Sequence, residues 1–203
     1  MLIDLIRHGA TEPPGLLLGR TDPPLSPTGW RQFEAQTEGR TWPRIVSSPL
    51  LRAREAAESL AAKRGLAAHI DSNWAELDFG AWDGQPVSGL REDPAIAAQL
   101  DAFYSDEDAA PPEGGESWSA LRTRVANALD ELLETAPESD DAAPSALVVT
   151  HGGPIRTALA LTCNLPFAHL WTLRIAYGTR ISLRFGRTED ETMWGELIEI
   201  VQP

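Results

Sequence analysis

The segment Ala146–Thr150 (ALVVT) carries no polar side chain until its last residue and runs straight into His151, Gly152, Gly153 and Pro154. A strand without polar/apolar alternation is buried on both faces, which happens almost only in a parallel sheet covered by helices on each side. Pro154, just inside the following segment, suits the first turn of a helix. Leu2–Ile6 repeats the arrangement and leads into Arg7, His8 and Gly9. Two strand ends therefore deliver a histidine to the carboxyl edge of a sheet, where ligands of open parallel sheets sit. The expected fold is α/β, a three-layer sandwich with a mostly parallel central sheet flanked by helices.

Further strands are expected at Arg44–Ser47, Leu66–Ile70, Leu170–Ile175, Arg180–Phe185 and Glu196–Val201. Ser26 or Thr28 caps a helix through Trp30 to about Glu38, and Leu50–Arg64 forms another that stops at Gly65. Pro94–Tyr104 reads as a helix, and Ser117 caps a longer one to Glu134 with Leu121, Val125, Leu129 and Leu132 along one face. Between the first strand and its helix, Pro13, Pro14, Gly15, Pro23, Pro24 and Pro27 mark a long irregular loop, a feature that is usually functional. Asn73–Gly89 reads as an aromatic loop, Ser105–Glu116 as an acidic connection and Ala136–Ser145 as a second acidic break. The 203 residues suffice for one domain, 1–203, with a loop and helix insertion around 73–116.

Charge narrows the partners. A net charge of −13 and a pI near 4.7 repel polyanions, so neither nucleic acid nor an anionic membrane surface is an expected partner. A small phosphorylated metabolite is still compatible where arginines converge, because short charge-assisted contacts outweigh a screened distant field. The single cysteine, Cys163, lies in an apolar stretch and reads as a buried small hydrophobe. Met1–Gly9 has no basic leader and no apolar run reaches membrane-spanning length, so a cytoplasmic protein is expected, monomeric or homodimeric.

The residues at the strand ends suit phosphoryl transfer. Arg7 lies beside His8, and Arg52 lies in the first turn of the Leu50–Arg64 helix, whose free N–H groups favour an anion. An imidazole attacks phosphorus through an unprotonated nitrogen, and a hydrogen bond from its other nitrogen to a carbonyl fixes that tautomer. Arg7, Arg52 and His151 would neutralise the equatorial oxygens, and a carboxylic acid must protonate the departing alkoxide. Glu76, in WAELDFGAWDG, is the candidate acid, with Asp78, Asp83 and Glu116 as alternatives. His69 and His169 have no such setting and are expected to be structural or on the surface.

RHGAT at 7–11, SSPLLRA at 47–53, ELDFGAWDG at 76–84 and THGG at 150–153 resemble, in order, the four signature segments of the histidine phosphatase superfamily, the phosphoglycerate mutase-like proteins. The resemblance covers nearly the whole chain. It implies a phosphomonoesterase in which His8 is phosphorylated, Arg7, Arg52 and His151 hold the phosphate, and Glu76 donates the proton, with no metal or organic cofactor. GRTDPPLSPTG (19–29), PPEGGES (111–117) and VVTHGGPIR (148–156) are most similar to the α-ribazole phosphatase branch of cobalamin biosynthesis. By that likeness Arg7, Gly19, Arg20, Thr21, Arg52 and Gly152 contact the substrate, α-ribazole 5′-phosphate.

Where family members often carry threonine after the second arginine, this chain has Ala56 and Ala57. A broad-specificity small-molecule phosphatase, a phosphoglycerate mutase and a silent phosphate-binding module stay as alternatives. The mutases resemble it less, since their tyrosine-glycine pair is replaced by Leu77, Asp78 and Phe79. Trp74, Phe79 and Trp82 either stack on an aromatic substrate group or cover the edge of the core, and Arg20 either reaches the substrate or is a solvated charge.

Overall fold

The computed structural model describes residues 1–136 and 144–203. In the ALVVT strand, Leu147 and Val149 join one apolar cluster while Ala146 and Val148 join another on the opposite side. That two-sided burial organises three layers. In chain order the elements are β1 (Leu2–Arg7), α1 (Pro27–Thr37), β2 (Ile45–Ser47), α2 (Leu51–Lys63), β3 (Ala68–Ile70), α3 (Val87–Leu90), α4 (Pro94–Ser105), α5 (Trp118–Glu134), β4 (Ala146–Thr150), α6 (Gly152–Cys163), β5 (Arg180–Arg187) and β6 (Met193–Val201). Phe33 of α1 and Ala53, Ala56, Ala57 and Leu60 of α2 pack on one face of the sheet, and the apolar faces of α5 and α6 pack on the other.

Among the described residues the strands form one six-stranded sheet in the order β3-β2-β4-β1-β5-β6. β1, β2, β3 and β4 run parallel, and β5 is antiparallel to both β1 and β6. β1 and β4 are thus neighbours, with Arg7 level with Thr150, so the two histidine-bearing strand ends open side by side. The helix ends follow the expected chemistry: Ser26, Asp93 and Ser117 cap α1, α4 and α5 by accepting backbone N–H groups.

Leu170–Ile175 is not a strand. Phe167–Thr172 forms a 3-10 helix, and only Leu170 and Ile175 of the expected strand are buried, a spacing without the period of two that a sheet requires. Its carbonyls serve side chains instead of a ladder: Leu173, Arg174 and Ile175 accept from Arg156, Gln202 and Arg7. Asn73–Gly89 is not wholly irregular, since it contains 3-10 turns at Ser72–Trp74 and Gly80–Trp82 and the single-turn helix α3. Most of the acidic break at Ala136–Ser145 lies outside the described residues. Cys163 closes α6 half-buried, packed against the larger apolar cluster.

One buried charge cluster ties β1 to the antiparallel edge. Asp4 is fully buried and accepts from Arg180 Nη1 at 3.1 Å, Ser182 Oγ at 2.6 Å and Trp42 Nε1 at 2.9 Å. Removing Asp4 would leave the buried Arg180 with only the half-exposed Glu199 as a carboxylate partner and Trp42 Nε1 without its acceptor. Asp4→Ala should lower the unfolding free energy by about 3–5 kcal/mol. Breaking the exposed Arg184–Glu196 pair with Glu196→Ala should cost less than about 1 kcal/mol. Urea unfolding of both variants checks the contrast.

Candidate active site

The loop that leaves β1 is fixed by its backbone. His8 N–H donates to the Thr150 carbonyl at 2.8 Å, and Gly178 N–H approaches the carbonyls of both Arg7 and His8 at 3.1 Å. Gly9 is required by close approach, since a Cβ there would lie 2.1 Å from the Gly29 carbonyl at the start of α1. The His8 side chain is buried, and its Nδ1–H donates to the Gly9 carbonyl at 2.8 Å. A carbonyl only accepts, so that bond leaves the proton on Nδ1 and the lone pair on Nε2.

Two guanidiniums flank this imidazole. Arg7 donates through Nη1 to the Ile175 carbonyl at 2.7 Å and lies over the Tyr177 ring at 4.0 Å, while its buried Nε has no protein partner. Arg52 is wholly buried. Its Nη1 donates to the Thr21 carbonyl and to Asp22 Oδ1, and its Nη2 to the carbonyls of Leu18 and Gly19, at 2.7–3.1 Å. Asp22 also accepts the Leu51 N–H, so this carboxylate covers the start of α2.

His151 lies edge-on to His8, with ring centroids 5.0 Å apart. Its Nε2 is 2.7 Å from Ser48 Oγ, which also accepts the Leu50 N–H, and its buried Nδ1 has no protein partner. Burial, followed by the positive charge of Arg52, pushes both imidazoles well below the ordinary histidine value of 6.5. The Gly9 bond to His8 works in the opposite direction and is outweighed.

Glu76 reaches the same cleft. Its Oε1 accepts from the Leu77 N–H at 2.9 Å and from the Gly153 N–H at 3.0 Å. A Cβ on Gly153 would come within 2.3 Å of that oxygen, so the second glycine of the His-Gly-Gly run makes room for the carboxylate. Arg124 of α5 clamps the segment by donating to the carbonyls of Asn73, Ala75 and Glu76 while pairing with both oxygens of Glu116. The alternative acids are engaged elsewhere: Glu116 by Arg124, Asp78 by Arg20 and the Gly80 N–H, and Asp83 by Gly19 and Thr21.

The cleft has a volume of about 190 Å³, and Arg7, His8, Glu76 and Gly152 line it. Arg52 and His151 lie behind this wall; after burial, Arg52 lowers the titration of His8, and Arg52 with His8 lowers that of His151. Gly19, Arg20 and Thr21 do not line the cleft: Gly19 and Thr21 supply carbonyls to Arg52, and Arg20 forms a half-exposed pair with Asp78. Trp74 and Trp82 are core residues, whereas Phe79 lines the cleft. Arg156, Tyr177, Tyr104, Trp118 and Trp171 also line it, and none was expected from the sequence. Arg156 had one available signal, its place four residues after Gly152 on the same helical face. His69 pairs with Glu131 at the half-exposed sheet edge and His169 lies in the 3-10 helix, both away from the cleft.

Among the described residues, no group of three or more histidine, cysteine or acidic side chains is placed to hold a metal ion, and no helix is long and apolar enough to cross a membrane. The family model described as histidine phosphatase superfamily, branch 1, matches residues 3–194. The chain belongs to the histidine phosphatase superfamily.

A Mycobacterium tuberculosis protein named as bifunctional is 32% identical to this histidine phosphatase over 179 residues, 84% of the chain, and the chain spans only 46% of that relative's length. The glucosyl-3-phosphoglycerate phosphatase of the same organism is 33% identical over 173 residues, 81% of this chain and 76% of the relative. The solved mycobacterial structure bearing that name matches with a TM-score of 0.83 at 28% identity, covering 97% of this chain and 96% of its own. The adenosylcobalamin/α-ribazole phosphatase of Salmonella typhimurium is 30% identical over 183 residues, 88% of this chain and 87% of the relative.

The two neutral imidazoles make stability depend on pH in a defined direction. Below about 6.5 the unfolded chain protonates both histidines while the folded chain refuses those protons. Their contribution is therefore fully present above the ordinary histidine value and is lost as pH falls below it. Urea unfolding from about pH 5 to 8 should show stability rising with pH up to about 6.5, and the double variant His8→Gln/His151→Gln should flatten that rise.

Proposed function

We propose that this histidine phosphatase is a phosphomonoesterase that works through a phosphohistidine, and the observation that carries the reading is the neutral His8 held with Nε2 free between Arg7, Arg52 and His151. His8 Nε2 attacks phosphorus, the bond from phosphorus to the ester oxygen breaks, and Glu76 gives its proton to the departing alkoxide. Arg7, Arg52 and a proton on His151 Nδ1 hold the charge on the equatorial oxygens as it develops. Water then attacks phosphorus, Glu76 accepts its proton, and the nitrogen–phosphorus bond breaks to release phosphate. The reactive imidazole is not lost to protonation near neutrality, because it is buried and its neighbours Arg52 and Arg7 are already cationic.

Two leaving groups have an observation in their favour. α-Ribazole 5′-phosphate is supported by the GRTDPPLSPTG and PPEGGES segments and by the aromatic cleft wall of Phe79, Tyr104 and Trp171, which suits a flat heteroaromatic base. A phosphorylated sugar acid, the substrate type in the name of the mycobacterial relative, is supported by the second cleft arginine, Arg156.

A kinetic panel of α-ribazole 5′-phosphate, phosphorylated sugar acids, nucleotides and 4-nitrophenyl phosphate tests the reading. His8→Ala should reduce kcat by at least about a thousandfold on every ester, and retained hydrolysis would contradict the mechanism. Glu76→Gln should slow alkyl esters by about 10²–10⁴-fold and 4-nitrophenyl phosphate far less, because nitrophenolate leaves without a proton. Equal losses would point to another acid. Gly153→Ala, which crowds the Glu76 carboxylate, should reproduce the Glu76→Gln pattern with the active-site histidines intact.

A further inference from the structure

The two imidazoles of the site are held by partners of different kinds. His8 gives its Nδ1–H to the Gly9 carbonyl, which only accepts, so its Nε2 is bare. His151 presents Nε2 to the Ser48 hydroxyl at 2.7 Å, and a hydroxyl can either give or take. The remaining bonds of Ser48 decide which of the two it does.

Ser48 is wholly buried in the turn between β2 and α2. Its N–H donates to the Val149 carbonyl at 3.0 Å, and its own carbonyl accepts from Ser47 Oγ at 2.9 Å, so its backbone is fixed against the end of β4. Ser48 Oγ accepts the Leu50 N–H at 3.2 Å, and among the described residues its one other partner is His151 Nε2. A proton on Nε2 would make Oγ a double acceptor. The buried hydroxyl proton would then have no acceptor, and the Nδ1 lone pair of His151 would be unmet as well. With the hydroxyl donating to Nε2, the one group left unmet is an Nδ1–H. That arrangement costs less, and it leaves a donor on an imidazole whose centroid is 5.0 Å from that of His8.

We propose that Ser48 is a positioning residue for phosphoryl transfer: its hydroxyl donates to His151 Nε2 and thereby puts that imidazole's proton on Nδ1. The site then holds two neutral histidines in which different nitrogens are bare, His8 with a lone pair for phosphorus and His151 with an N–H for a phosphoryl oxygen. Without Ser48, a neutral His151 would be free to meet the anion with a lone pair, which repels it. The segment that carries Arg52 thus also governs the histidine at the end of the neighbouring strand β4. The catalytic consequence rests on the phosphatase reading, whereas the tautomer is a property of the free enzyme.

Nitrogen-15 NMR of protein carrying labelled histidine, near neutral pH and with His151 assigned by its loss in His151→Gln, reads the tautomer. The wild type should show His151 protonated at Nδ1 and bare at Nε2. Ser48→Ala should move population to the Nε2-protonated form while His8 keeps its proton on the Gly9 carbonyl. On 4-nitrophenyl phosphate, Ser48→Ala should lower kcat by about 10- to 100-fold, and Ser48→Thr, which keeps the hydroxyl, should retain most of the activity. The loss should act through His151 alone, so Ser48→Ala/His151→Gln should be no slower than His151→Gln. Losses that add, or a wild-type His151 protonated at Nε2, would overturn the assignment and leave Ser48 as a structural acceptor for the Leu50 N–H. Where Ser48→Ala does not fold, Ser48→Cys, whose thiol is a weak donor, replaces it in each arm. If the wild type hydrolysed no ester, the phosphatase reading would fail by itself, and the NMR comparison would still decide the tautomer.

Discussion

The buried guanidinium of Arg52 is the constraint on which the site depends. A cation removed from water must have its donors met by the chain, or the fold pays several kcal/mol. Here the carbonyls of Leu18, Gly19 and Thr21 and the carboxylate of Asp22 meet those of Nη1 and Nη2, while the buried Nε has no protein partner. That requirement draws the proline-rich loop after β1 onto the start of α2, and Asp83 clips the same loop from the other side through Gly19 and Thr21. The loop therefore forms one wall of the cleft through Leu16, Leu17 and Leu18 without ordinary secondary structure of its own.

The same charge reinforces the effect of burial on the histidines. Burial alone disfavours an imidazolium, and Arg52 and Arg7 add repulsion, so His8 and His151 are neutral near pH 7. For His8 the Gly9 carbonyl then decides which nitrogen is bare. A phosphoryl dianion entering the cleft would reverse part of that balance by offsetting the guanidinium charge, which favours a proton on His151 while the negative group is bound. Electrostatics that keep His8 Nε2 unprotonated would thus also assist charge stabilisation once an anion is bound.

The polarity of the strand-to-helix units was legible because strands buried on both faces must lie inside a parallel sheet, and His8 and His151 end neighbouring strands for that reason. Glu76 was legible by its segment, and the structure supplies its physical support, a glycine at 153 that leaves room for the carboxylate. Arg156, Tyr177, Tyr104 and Trp171 were not, because they come from distant segments whose convergence follows from packing and leaves no local pattern. Leu170–Ile175 misled because its apolar residues resemble a strand, whereas its carbonyls are committed to arginines and a glutamine. Gly19 and Thr21 lie in the segment most similar to the α-ribazole phosphatases, yet in this fold they hold Arg52, one step back from the cleft.

The account stands on one atom, Nε2 of His8, being the group that bonds to phosphorus. Rapid mixing with a phosphate ester, quenching at alkaline pH where phosphohistidine survives, and locating the modification by peptide mass spectrometry and phosphorus–nitrogen NMR addresses that atom directly. The account predicts a phosphoryl group on His8 at Nε2, formed within the first turnover and lost as phosphate is released. Turnover without any phosphoenzyme, or a phosphoryl group on a different residue, would contradict it.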